Sequence, residues 1–81
     1  MEVISEENWS HVLFEHDNDW ILTVLISEGA ATYDRCIKLV EMEKKQVREN
    51  PAYVKVLVDK VRSGSEKGRY VLPPIWPQHY T

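Results

Sequence analysis

Residues 20–40, WILTVLISEGAATYDRCIKLV, decide the fold of this chain. The first eight, WILTVLIS, are short, rich in aromatic and β-branched side chains and bounded by turn residues, which reads as a strand. The run is apolar on both faces, as a central strand covered on both sides requires. Ser27-Glu28-Gly29 supplies a turn. Residues 32–40, TYDRCIKLV, then alternate: Tyr33, Arg35, Ile37 and Leu39 share one face, while Thr32, Asp34, Cys36 and Lys38 share the other.

Upstream, residues 9–16 (WSHVLFEH) alternate in the same way. Val12 and Phe14 fall on one face, and Trp9, His11 and Leu13 on the opposite one. Asp17-Asn18-Asp19 has turn chemistry, because Asp and Asn bond their own backbone and tolerate the left-handed region. Short connections make these three segments an antiparallel meander.

Downstream, the period changes from 2 to 3.6. Residues 41–49 (EMEKKQVRE) hold neither Gly nor Pro and are good helix formers, with Met42 and Val47 as apolar contacts. Asn50-Pro51 starts a second helix over residues 51–63, Asn as cap and Pro in the first turn. Its stripe of Tyr53, Val54, Leu57, Val58 and Val61 faces a core, and Gly64 closes it. Residues 69–72 offer a short fourth strand at the C-terminal end, which Pro73-Pro74 terminates. The predicted fold is one small α+β domain over residues 1–81: a three-stranded antiparallel meander, two helices and the short C-terminal strand. Residues 75–80 are the only segment left to shield the sheet face away from the helices. Ile75 and Trp76 are predicted to pack there, with Trp76 and Tyr80 as exposed partner anchors in the competing reading.

The chain has 81 residues and a formal charge of −3, and the charge is unevenly placed. Residues 1–34 carry eight acids and no Lys or Arg, whereas residues 35–81 carry all ten bases against five acids. Asymmetry of this kind points to a charged partner surface. One cysteine rules out an intrachain disulfide framework. The acidic start, MEVISEENWS, lacks the basic and apolar regions of a secretory signal, and no apolar run approaches the roughly 20 residues of a spanning helix. A cytoplasmic protein away from membranes is the expectation.

The soft ligands His11, His16, Cys36 and His79 show none of the local spacings of zinc sites. Asp17 with Asp19 and Glu41 with Glu43 sit where a turn and a helix start explain them. Cys36 has no nucleophile signature around it, and residues 64–68 lack the phosphate-loop pattern. No catalytic, metal or cofactor site is expected, and the chain is read as a binding protein rather than an enzyme. The predicted partner surface consists of Glu15, Asp17, Asp19, Glu28 and Asp34 on the strands and their turns, with Trp9, Trp76 or Tyr80 as aromatic anchors. A nucleic-acid module would instead use Lys55, Lys60, Arg62, Lys67 and Arg69 with Tyr53, Tyr70 and Trp76 for stacking. A solvated helix face explains those bases better, so nucleic acid is the less favoured partner. Both a monomer and a dimer through Ile21 and Leu25 remain open.

The order of a Trp-led strand, a Gly turn, and a Tyr-led strand of form Y-x-x-x-I-x-L running into a Glu-rich helix resembles a group of small bacterial proteins. These are encoded beside large polymorphic (Rhs or contact-dependent) toxins and act as their immunity proteins. The resemblance spans residues 9–62 and rests on Trp20, Gly29, Tyr33, Ile37, Leu39 and Glu43. It implies a cytoplasmic protein that binds and neutralises one toxin domain, and it assigns no contact residues. A phage-encoded inhibitor of a host defence complex shares the same physical profile.

Overall fold

The computed structural model describes residues 2–77. Four strands, β1 (Glu2–Glu7), β2 (His11–His16), β3 (Asp19–Glu28) and β4 (Ala31–Lys38), form one sheet in the order β1-β2-β3-β4. Every neighbouring pair is antiparallel. Helices α1 (Glu41–Glu49) and α2 (Tyr53–Ser63) follow, then a single 3₁₀ turn, Lys67–Arg69. The architecture is α+β, with the three strands of the expected meander and both helices in place.

The fourth strand lies at the opposite end of the chain from the expected one. Residues 69–72 contribute one bridge, Tyr70 to Ile37, beside the edge of β4. The full fourth strand is β1, whose EVISEE sequence shows no clean alternation. A register shift between Val3 and Ser5 explains this. The adjacent Val3 and Ile4 point to opposite faces of the sheet, where each packs on a different core cluster.

Turn chemistry sets the register. Asp17 and Asn18 both have positive φ (52° and 69°), the signature of a two-residue type I′ hairpin, and His16 pairs with Asp19 across it. Gly29, at φ 62°, serves the β3–β4 turn. The expected strand start at Trp9 moves to His11, because residues 8–10 form the β1–β2 turn.

The sheet is covered on both faces. On one side Leu13, Leu22, Val24, Ile26, Ile37 and Leu39 meet Val47 of α1 and Val54, Leu57, Val58 and Val61 of α2. On the other, Val12, Phe14, Ile21 and Cys36 lie beneath Val71, Ile75 and Trp76. The C-terminal segment thus shields the face that the helices leave open. The Thr23 hydroxyl, fully buried, donates to the Ile75 carbonyl at 2.6 Å and ties that segment down.

Two helix details depart from expectation. Met42 is 71% exposed, and the buried α1 residues are Val47 and Lys44. The Lys44 stem lies against the fold while its ammonium reaches Glu41 at 3.1 Å, so a long charged side chain supplies the apolar cover. Helix α2 begins two residues later than the Pro51 start. Asn50 still serves its entry, its Oδ1 accepting the Ala52 N–H at 3.3 Å.

Candidate docking site

The β1–β2 turn is closed by the Ser10 N–H donating to the Glu7 carbonyl at 3.0 Å. Trp9 occupies its third position with φ 61°. A turn of this shape favours Gly or Asn there, because a Cβ in the left-handed region crowds the following carbonyl. The chain instead places a tryptophan at the strained position and leaves it 90% exposed. Burial therefore offers no compensation for the strain.

Trp9 overhangs a groove of about 590 Å³, floored by Val12, Leu25 and Trp76 and edged by Glu7 and Asn8. The Trp76 indole is fixed by its N–H, which donates to the Asp34 carboxylate at 2.5 Å. Behind the turn, the Ser10 hydroxyl lies 3.1 Å from His11 Nδ1 and accepts a hydrogen bond from Arg62 at 3.1 Å. The same guanidinium reaches the Leu25 carbonyl at 3.4 Å. Helix α2 thus braces the turn from beneath, while the indole of Trp9 stands free above it. Burial lowers the His11 pKa from its ordinary value, as do Arg62 and Lys55, with Glu7 opposing them. Of the residues lining the groove, Glu7 is acidic and none is Lys or Arg.

The residues expected at the partner surface fall into separate places. Trp9 and Trp76 come together on one groove, and Asp34 joins them through the indole hydrogen bond. Glu15, Asp17 and Asp19 gather at the far end of the sheet, around the β2–β3 turn. There Asp19 stands 3.9 Å from Lys38, and Asp17 lies 3.4 Å from His16. Glu28 is at the other end of β3, roughly 30 Å from Asp19 at about 3.3 Å per residue. It accepts a hydrogen bond from Tyr33 at 2.8 Å. Tyr80 lies outside the described residues. Glu7 and the strained turn itself carry no local signal in the sequence. Trp9 continues the alternation of β2, so its place in the turn follows only from the register of β1.

Two of the five bases considered for nucleic acid are bound within the fold. Arg69 makes a two-pronged bond to Glu43, at 2.6 and 3.0 Å, and Arg62 braces the docking turn. Cys36 is fully buried, and burial pushes its thiol up despite hydrogen bonding with Ile75 and Thr23. Among the described residues, no group of three or more His, Cys, Asp and Glu stands where it could hold a metal ion. No helix among them is long and apolar enough to cross a membrane.

Comparison with known proteins brought up no matching family model, no similar curated protein and no similar solved structure.

Proposed function

We propose that this chain is an inhibitory binding protein of the cytoplasm, and specifically an immunity protein. It docks one toxin domain through the groove formed by Trp9, Leu25 and Trp76. A single observation carries the reading: a fully presented tryptophan held at a backbone conformation that costs stability. Strain kept at an exposed side chain, with no packing in return, points to selection for contact rather than for folding. Trp is also the residue type most enriched at interface hot spots, and a second indole already immobilised in the groove floor lowers the ordering cost of binding.

The charge pattern supports a basic partner. Glu7 and Asp34 border the groove, and the cluster of Glu15, Asp17 and Asp19 lies at the other end of the same sheet. A partner bearing Lys or Arg would be drawn to such a surface at a salt-dependent rate. A basic side chain could lay its stem on the Trp9 ring and place its charge beside Glu7.

The test is co-expression with a candidate toxin domain, sought first in the gene immediately upstream of this one. Protection of growth by the wild-type protein and its loss in Trp9→Gly, with unchanged folding, supports the reading. Protection that survives Trp9→Gly removes the groove. Absence of both protection and binding in the wild type removes the immunity assignment, and leaves the anti-defence inhibitor as the reading to pursue.

A further inference from the structure

A second cleft, of about 550 Å³, opens on the helix side of the sheet between β4, the end of α2 and the segment that follows it. Three cations, Arg35, Arg62 and Lys67, line it together with the single acid Glu28. Three bases elsewhere in the fold are matched to acids: Lys38 to Asp19, Lys44 to Glu41, and Arg69 to Glu43 and Glu66. None of the three cleft cations has a carboxylate within 4.0 Å among the described residues. Glu28 is turned to the Tyr33 hydroxyl instead.

Arg35 is held in advance of any ligand. Its guanidinium lies 4.5 Å from the Tyr33 ring centroid and 5.5 Å from that of Tyr70. One Nη donates to the Asp34 carbonyl at 2.8 Å, leaving the rest of the fork unspent. Arg62 likewise uses a single Nη, on Ser10 and Leu25. Lys67 folds over the left-handed Gly64 cap, its Cε 3.1 Å from where a Cβ there would stand.

The end of a helix normally repels anions through its free carbonyls. Here two of those carbonyls are occupied. The Lys60 carbonyl accepts from the hydroxyls of Ser63 and Ser65, at 2.9 and 3.0 Å, and the Val61 carbonyl accepts the Gly64 N–H at 3.2 Å. Ile26, Val61 and Leu72 add apolar wall.

We infer that this cleft binds a phosphate group, with the stacked Arg35 fork and the Lys67 ammonium as its principal donors and Arg62 as a third. Arg presents paired donors that match phosphate oxygens, and Lys adds a mobile point charge. The cleft has the size of a small-molecule site. Its principal donors, Arg35 and Lys67, take no part in the Trp9 groove, so the inference stands independently of the docking reading; Arg62 alone touches both, through its bonds to Ser10 and Leu25.

The test is a titration of the ¹⁵N-labelled protein with pyrophosphate and, separately, with adenosine monophosphate, against sodium chloride at matched ionic strength. Saturable shifts of the Arg35 Nε–Hε, Gly64 and Tyr70 signals with either phosphate compound, absent with chloride, support the site. Tighter binding of the nucleotide identifies a nucleoside phosphate as the source, and equal binding identifies the bare phosphate group. Lys67→Gln, an exposed change that leaves the fold intact, weakens binding about tenfold, and Arg35→Gln with Lys67→Gln abolishes it. Shifts that do not saturate by about 10 mM pyrophosphate, or that chloride reproduces, overturn the inference. An unchanged affinity in Lys67→Gln overturns it as well.

Discussion

The hydroxyl of Thr23 and the carbonyl of Ile75, 52 residues apart in sequence, meet at 2.6 Å beneath the C-terminal segment. This bond fastens residues 71–77 across the sheet face that the helices do not reach, above Val12, Phe14, Ile21 and Cys36. It also fixes the floor of the docking groove, since Trp76 follows Ile75 directly. Thr23→Val keeps the volume and removes the donor, leaving a carbonyl without its partner. The expected loss is about 1–2 kcal/mol by urea denaturation. The Trp76 indole N–H should also exchange faster with solvent than in the wild type, and an unchanged rate would show that the segment is held by packing alone.

Trp9→Gly should behave in the opposite sense on stability. Glycine relieves the left-handed strain, worth about 1–2 kcal/mol for a residue with a Cβ, and returns part of that as unfolded-chain entropy. The variant is expected to melt at the wild-type temperature or above it, by as much as about 4–8 °C, the shift that 1 kcal/mol produces in a domain of this size. A clear fall in melting temperature would mean that the exposed ring packs on the groove in solution.

The Glu43–Arg69 pair ties the first turn of α1 to the 3₁₀ turn after α2, while the Glu43 carboxylate also accepts the Val40 N–H at 3.0 Å. Burial, the largest single influence, pushes the Glu43 carboxyl up. The Arg69 and Val40 hydrogen bonds, with the charges of Arg69 and Lys60, bring the balance below its ordinary 4.5. A carboxyl depressed in the fold contributes stability that is fully present above its unfolded pKa and is lost as pH falls through the folded value. Glu43→Gln is expected to cost about 1–3 kcal/mol at pH 7. The cost should shrink below about pH 4.5, as a pH series of chemical denaturation would show.

His11 titrates in a higher window. Its burial, with Arg62 and Lys55 nearby, lowers its pKa from 6.5 against the opposing Glu7. The unfolded chain therefore takes up the proton first as pH falls, and stability drops below about 6.5 until the folded value is passed. Melting temperatures of the wild type should decline from pH 7 toward pH 5. The same series for His11→Gln should be flatter over that range. Equal slopes would assign the pH dependence to other groups.

Cys36 serves as an internal reporter of unfolding. It is fully buried and its thiol is pushed up, so little thiolate is present at neutral pH. A disulfide reagent should leave the native protein unmodified and react at once in denaturant. Rapid native modification would reveal local opening of the segment over Cys36.

Much of this structure is legible in residues 11–63. Alternation in TYDRCIKLV assigns Cys36 and Ile37 to opposite faces, and the stripe from Tyr53 to Val61 places α2 on the core, as observed. Asp17-Asn18 announces its hairpin because the turn requires left-handed residues at both positions. These features are local, so composition and period suffice to read them. β1 is not legible in the same way. An edge strand needs apolar cover from only two residues, and its bulge breaks the alternation that would mark it.

The uneven distribution of charge is likewise a property of the sequence alone, and the acids do fall on the strands and their turns. Only the tertiary structure decides how they are shared out. The length of β3 carries Glu28 away from Asp19, and the C-terminal segment claims Asp34 through the Trp76 indole. The exposure of Trp9 is decided at the same level. Its left-handed turn exists because β1 pairs with β2 in one register, and register is a long-range property that no single segment encodes.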